Sequence, residues 1–215
     1  KKELIESSKF REGPIIEGDE RFTVKLTEEE TVNFKGLNYS KISNKKFLYK
    51  NKLNTLIGVE AISNLNKVYG HNHKFKFTKK INDPFEDIFY LFTDKFFKKE
   101  NIEHLNIFES YSYALDSTHG LSMDDRRYYY DSYKRFYLPI YYDGKSRILN
   151  KDQYLDLSKD IKNIIISNEA IIGAKPSLEL LKKLDIKNFL HNLNKSGVKM
   201  SLSELNLILK KIEKR

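Results

Sequence analysis

The chain has 215 residues, of which 40% are hydrophobic, and this is enough for one domain with a sizeable core. It contains no cysteine, which excludes disulfides, thiolate metal sites and cysteine nucleophiles. The net charge of +9 is scattered in short basic clusters that nearby acids mostly dilute, so the charge pattern argues against a nucleic-acid partner without excluding one.

The first forty residues alternate between helical and extended patterns. We predict the end of a helix at residues 2–8, which Gly13-Pro14 separates from an extended segment beginning at Ile15. Residues 22–26 alternate apolar and polar side chains, the period of a half-buried strand. Residues 32–36 predict another short extended piece.

Three helices are predicted between residues 53 and 115. Apolar residues recur at three-residue spacing over 53–69, and Gly70 is the expected C-terminal cap. Asn82-Asp83-Pro84 predicts a second helix start, followed by an apolar stripe that runs to Lys99. A third helix is expected at about 102–115.

The C-terminal part, residues 151–215, is predicted to be helical. One helix is expected at 159–166, and another begins at Pro176-Ser177. The sequence from Ser201 to Glu204 is a capping box that opens the last helix. We interpret these helices as packing elements. Without repeats or clear linkers, a single domain spanning residues 1–215 is the default.

The stretch from 115 to 146 carries most of the polar groups that suit chemistry. It reads as a loop, a Tyr-rich strand, a polar turn at 132–135, a second strand and a loop, which together predict a β-hairpin. His119, Asp124 and Asp125 precede the hairpin and Asp143 follows it. Because the two strands pair, Asp125 and Asp143 should lie close together. Two converging carboxylates favour a site for a hard cation bound with phosphate oxygens.

The same stretch resembles the active-site segment of protein kinases, and more closely that of the spore-coat CotH family of atypical kinases. The likeness is carried by residues 126–131, with the sequence RRYYYD, and by residues 138–143, with the sequence LPIYYD. A weaker echo lies at 2–6 and 11–15. The resemblance implies an α+β fold like the large lobe of a kinase, mostly helical around a β-hairpin active site, with a few N-terminal strands. It also implies that most of the small lobe precedes Lys1.

The resemblance implies a phosphotransferase that uses Mg²⁺ and ATP and acts on a protein or a small molecule. Asp143 would contact both the metal and the nucleotide, and Asp125 would be the second metal ligand. His119 would lie in the catalytic loop, where it or Asp124 would act as base. Arg126 would touch the nucleotide phosphates.

The sequence also departs from the kinase pattern. Asp125 stands where Asn is usual, Gly144 follows Asp143 directly, and Gly120 occupies the position of the catalytic Asp, five residues before Asp125. No glycine-rich phosphate loop is present. These departures leave open a catalytically degenerate binding or scaffold module. A basic nucleic-acid-binding domain is a third alternative.

Less specific roles for the same residues also stay open. Asp143-Gly144 is an ordinary turn dipeptide, His119-Gly120 also suits a turn, and Arg126 could pair with its acidic neighbours. No apolar run reaches the roughly 18 residues of a membrane-spanning helix. No signal peptide is recognised, and both a cytoplasmic and an exported location stay open.

Overall fold

The structure is a computed structural model that describes residues 11–18, 40–79, 94–121, 125–144, 146, 148 and 166–214, with the backbone alone for 70–79. The described residues confirm an α+β fold. They form two compact units, one made of the residues up to Leu105 together with 119–143, the other of 106–118 together with the residues from Gly144 onward.

Six α-helices, one short 3₁₀ helix and four strands lie in the described residues. The strands are β1 Ile15–Gly18, β2 Ser40–Ile42, β3 Arg127–Asp131 and β4 Phe136–Ile140. The helices are α1 Lys45–Leu48, α2 Lys52–Lys79, α3 Lys99–Ala114, α4 Asn168–Lys182, α5 Ile186–Lys195 and α6 Leu202–Lys214, and the 3₁₀ helix is Thr118–Leu121. None of the helices in the described residues has the length and hydrophobicity that a membrane-spanning segment requires.

The four strands form one antiparallel sheet in the order β2-β1-β3-β4. The predicted hairpin is confirmed as β3, a turn at 132–135, and β4. The Asp131 carboxylate accepts the backbone N–H groups of Tyr133 and Lys134, which holds the first part of the turn. Arg135 closes it with a φ of 59°, a left-handed conformation.

The core of the first unit lies between the sheet and one face of α2. Ala61, Leu65 and Val68 on that helix pack against a cluster that includes Tyr128 and Tyr130 from β3. The Tyr129 side chain points to the opposite face of the sheet, as the two-residue period of a strand requires. There its hydroxyl donates a hydrogen bond of 2.7 Å to the Arg11 carbonyl. Both faces of β3 are therefore covered, and all three tyrosines of the strand are buried.

In the second unit, α4 passes close to the C-terminal half of α3. The Ser167 hydroxyl caps α4 by accepting the N–H of Ala170 at 3.1 Å. The same hydroxyl donates to the buried carboxylate of Glu109 at 2.7 Å. Tyr111 donates its hydroxyl hydrogen to the Ser177 carbonyl at 2.9 Å. These contacts fix α4 against α3 through polar groups as well as through apolar packing.

Three of the predicted helix boundaries are wrong. The helix that starts near residue 53 continues through Gly70 to Lys79, because a glycine in a helix costs only about 1 kcal/mol and does not remove a hydrogen bond. The apolar stripe expected to run to Lys99 does not continue as a helix, since residues 94–97 form a turn and a bend. Pro176 does not start a helix and lies inside α4, which begins at Asn168.

Other predictions are confirmed or lie outside the described residues. The extended segment at Ile15, the helix near 102–115 and the capping box at Ser201 are confirmed. The helix α5, capped by Asp185, lies in the C-terminal part that is predicted to be helical, although no start or end is predicted for it. The predictions for 2–8, 22–26, 32–36, 82–92 and 159–165 fall outside the residues that the structure describes.

Candidate metal and active site

A short 3₁₀ helix carries His119 to the hairpin. This helix comprises Thr118–Leu121, and its last carbonyl, that of Leu121, accepts a hydrogen bond of 2.6 Å from the Nε of Arg126. The Arg126 side chain is 5% exposed, so this bond forms away from bulk water. A buried hydrogen bond from a charged donor is among the stronger ones, and it ties the end of the 3₁₀ helix to the start of β3.

The open end of the hairpin places two carboxylates on neighbouring chain segments. Arg127 at the start of β3 is registered with Ile140 at the end of β4. Asp125 precedes the first of these residues and Asp143 follows the second, so the pairing itself brings the two aspartates to the same end. The predicted closeness of Asp125 and Asp143 is thus confirmed.

His119, Asp125 and Asp143 form a cluster in which one ligand atom of each lies within 4.8 Å of the others. The Nε2 atom of His119 is 3.4 Å from Oδ2 of Asp125 and 3.5 Å from Oδ2 of Asp143. The side chains are 47% exposed for His119, 15% for Asp125 and 40% for Asp143. The cluster is therefore open to solvent on one side.

Asp143 has a backbone conformation that few residue types adopt. Its φ is 44°, in the left-handed region, where aspartate and asparagine are the most common residues after glycine. The residue is held there from the side of β4. The ring of its neighbour Tyr142 lies under the Arg127 guanidinium, whose central carbon is 3.2 Å from the ring centroid.

Arg127 is itself fixed by an ion pair across the sheet. Its Nη2 lies 3.2 Å from the carboxylate of Glu17, which is its registered partner on β1. The chain of contacts from Glu17 through Arg127 to Tyr142 therefore connects the centre of the sheet to the residue before Asp143. Both ends of the cluster are held by side chains other than its own members, as precise ligand placement requires.

The structure does not test the predicted roles of the other two site residues, Arg126 and Asp124. Arg126 is buried and one of its nitrogens is committed to the Leu121 carbonyl, so its predicted contact with phosphate stays a prediction. Asp124 lies outside the described residues.

Sequence reasoning missed the supporting residues Glu17, Arg127 and Tyr142. The alternation of β3 indicates that Arg127 and Tyr129 share a face of the sheet. The pairing of Arg127 with Glu17, however, depends on β1 lying next to β3, which no local sequence pattern reveals.

The donor set of the cluster fits a divalent cation. Carboxylate oxygens and an imidazole nitrogen are common ligands for first-row divalent metals, and two aspartates supply the negative charge that offsets the charge of the ion. Three donors at one open end also leave room for water or a phosphate oxygen to complete the coordination.

Comparison with known proteins finds no matching family model, no matching curated protein and no matching solved structure. The likeness to atypical kinases rests on the residues quoted from the sequence.

Proposed function

We propose that the chain is a kinase-like phosphotransferase that takes its phosphoryl group from ATP and works with a divalent cation at the hairpin mouth. The acceptor is a protein or a small molecule. The observation that carries this proposal is the convergence of Asp125 and Asp143, with His119 beside them, on the open end of a rigidly supported hairpin. In protein kinases an Asp after a strand and an Asn of the catalytic loop hold the Mg²⁺ ions at the nucleotide phosphates, and the two aspartates here offer oxygen ligands of the same kind.

Within this proposal the aspartates hold the cation and orient it toward the nucleotide. A bound divalent cation neutralises phosphate oxygens and so lowers the barrier to transfer. Asp143 is exposed enough to reach a ligand in solution, whereas Asp125 is mostly covered and anchors the ion from the protein side. The contact between Tyr142 and Arg127 attaches the residue before Asp143 to β3.

The second candidate is a catalytically degenerate binding module. One observation favours it: the position of the expected catalytic aspartate is Gly120, which lies in the 3₁₀ helix beside His119. Such a protein would bind the metal and ATP without transferring phosphate. The two candidates differ in turnover and agree in binding.

We test binding first, by thermal shift of the chain with Mg²⁺ and ATP. A ligand at 100 times its dissociation constant stabilises the folded state by about 2.7 kcal/mol. For a chain of this size this corresponds to a rise in Tm of roughly 5–10 °C. Asp143→Asn keeps the shape of the side chain and tolerates the positive φ, so its only large effect is the loss of charge. We expect the shift to disappear in this variant.

Asp131→Asn is the matched control, since it removes a carboxylate at the closed end of the same hairpin and keeps an oxygen that accepts the turn N–H groups. It should retain the full shift. A metal-dependent shift that persists in Asp143→Asn would overturn the proposal. Release of ADP in the presence of candidate acceptors then distinguishes a kinase from a degenerate module.

A further inference from the structure

The position of His119 bears on which metal ion the cluster would bind, a question that the two carboxylates alone leave open. A single atom, Nε2, faces both aspartates, at 3.4 Å from Oδ2 of Asp125 and 3.5 Å from Oδ2 of Asp143. Both distances are longer than the roughly 2.7–3.2 Å usual for a single N–H···O hydrogen bond. Here the imidazole nitrogen is shared almost equally between the two.

These separations fit ligand atoms of one ion as well as a pair of His–Asp contacts. Hydrogen bonds between N–H and O have donor–acceptor distances of about 2.7–3.2 Å. Two ligands bound about 2.1 Å from a tetrahedral cation lie roughly 3.4 Å apart. The distances from His119 to both aspartates match the second spacing better than the first.

We infer that His119 is a third protein ligand and that the site selects a transition-metal ion such as Zn²⁺ or Mn²⁺ over Mg²⁺. Mg²⁺ prefers oxygen ligands and keeps several waters, whereas an imidazole nitrogen favours ions later in the first transition row. This inference deepens the proposed function and rests on it in one respect, namely that Asp125 and Asp143 hold an ion.

The surroundings of the cluster suit a metal site that takes part in a reaction. Three protein ligands with an accessible side are typical of catalytic metal sites, while structural sites are closed by four. The exposed fractions of His119 and Asp143, 47% and 40%, leave that side open. The hydrogen bond from Arg126 to Leu121 holds the 3₁₀ helix that bears His119, so the imidazole is positioned by the fold.

A role as ligand also changes the role of His119 in the proposed reaction. Its Nε2 lone pair, bound to the ion, is not available to accept a proton from an acceptor hydroxyl. His119 then contributes to charge and geometry at the metal, and another group would have to accept the proton.

The inference is tested by isothermal titration of the whole chain with Zn²⁺, Mn²⁺ and Mg²⁺ separately and without nucleotide. We expect affinity to fall in that order. In His119→Gln we expect Zn²⁺ and Mn²⁺ to bind at least about tenfold more weakly, with less than about a threefold change for Mg²⁺. His104→Gln removes an exposed histidine from α3 in the same unit and should change none of the three affinities.

Pulsed electron paramagnetic resonance of bound Mn²⁺ gives a direct second readout. Nitrogen modulation should appear in the parent and vanish in His119→Gln, and circular dichroism checks that the variant is folded. The inference is overturned if the modulation persists, or if His119→Gln leaves the Zn²⁺ and Mn²⁺ affinities unchanged. Should Asp143→Asn still abolish Mg²⁺-ATP binding in that case, the proposed function survives alone. If Zn²⁺ and Mn²⁺ bind through His119 but ATP causes no metal-dependent thermal shift, the inference survives and the proposed function fails.

Discussion

The Asn101 side chain forms hydrogen bonds with the outer backbone edge of β4. Among the described strands β4 is an edge of the sheet, and the backbone N–H and C=O of Tyr137 in that strand face away from β3. The Asn101 amide accepts the Tyr137 N–H at 2.8 Å and donates to the Tyr137 carbonyl at 2.8 Å. Asn101 is fully buried, so neither bond is exchanged with water. These two bonds satisfy the backbone N–H and C=O of Tyr137, which in an uncovered edge strand can pair with another chain.

Asn101→Ala should destabilise the protein by roughly 2–4 kcal/mol, because both the N–H and the carbonyl of Tyr137 lose their partner in a buried position. Urea unfolding followed by far-UV circular dichroism measures the change. Asn192→Ala, at an exposed position on α5, is the control and should stay within about 0.5 kcal/mol of the parent. A loss for Asn101→Ala as small as that of the control would show that the two bonds contribute nothing net.

The sequence predicts the residues of the candidate site better than it predicts the residues that hold them in place. Asp125 and Asp143 flank two strands that are close in the chain, so the hairpin alone predicts that they meet. The 3₁₀ helix that carries His119 is bonded to β3 through Arg126 and Leu121. Arg127, which lies over the Tyr142 ring, pairs with Glu17, more than 100 residues away in the chain. Contacts of this kind follow from tertiary packing and leave no local signal.

Within the second unit, α4 approaches α3 closely at Gly173. A Cβ at this position of α4 would lie 2.1 Å from the carbonyl oxygen of Asn106 and 2.4 Å from its carbon. Both atoms belong to the backbone of α3, which cannot turn aside as a side chain would. The absence of a side chain at position 173 is therefore a condition for the packing of α4 on α3.

Gly173→Ala should lower the free energy of unfolding by about 2 kcal/mol or more. Overpacking of a close contact costs about 1–3 kcal/mol, and a clash with backbone lies at the upper end of that range. Alanine regains only about 1 kcal/mol through its higher helix propensity. Lys175→Ala, at an exposed position two residues along the same helix, is the control for an alanine placed away from the close contact and should have little effect. The measurement is urea unfolding; stabilisation by Gly173→Ala would contradict the close approach.

The helix boundaries show where the wider structural context overrides local sequence signals. The capping box is confirmed because its bonds lie within four residues: the Ser201 hydroxyl accepts the Glu204 N–H, and the Glu204 carboxylate accepts the Ser201 N–H. Pro176 failed as a helix start, since Ser167 already caps α4 nine residues earlier in the chain. A proline removes one hydrogen bond from a helix, here to the carbonyl of the exposed residue Ile172, where water can replace it.

For the whole molecule, the aromatic composition decides how the core responds to pH. The composition, with 14 Tyr and 14 Phe, predicts a core rich in aromatic rings, and the tyrosine hydroxyl favours boundary positions for many of these rings. Tyr133 and Tyr142 are exposed as this predicts, whereas four tyrosines lie in the centre of the first unit: Tyr69, Tyr128, Tyr130 and Tyr137. Burial raises the pKa of Tyr130 to about 12, with a further contribution from the charge of Glu60. Burial likewise raises the pKa values of Tyr69 and Tyr137 well above the ordinary range.

These shifts predict that the protein loses stability in alkali. The folded-state pKa of Tyr130 is above its unfolded value near 10, so its contribution is complete below pH 10 and is lost as pH rises toward 12. One such group changes the free energy of unfolding by at most about 1.4 kcal/mol per pH unit in that window. Urea unfolding at a series of pH values from 8 to about 11.5 measures the slope.

Lysines titrate in the same range, so the comparison must be made between variants that keep every lysine. Tyr130→Phe removes one buried phenol and should make the slope above pH 10 shallower than in the parent. Tyr133→Phe removes a phenol that is 86% exposed in the hairpin turn and should leave the slope unchanged. If both variants lose stability as steeply as the parent, ionisation of Tyr130 does not drive the alkaline transition. A shallower slope in Tyr130→Phe alone would show that the aromatic core holds its tyrosines neutral, because burial stabilises the protonated phenol relative to the unfolded chain.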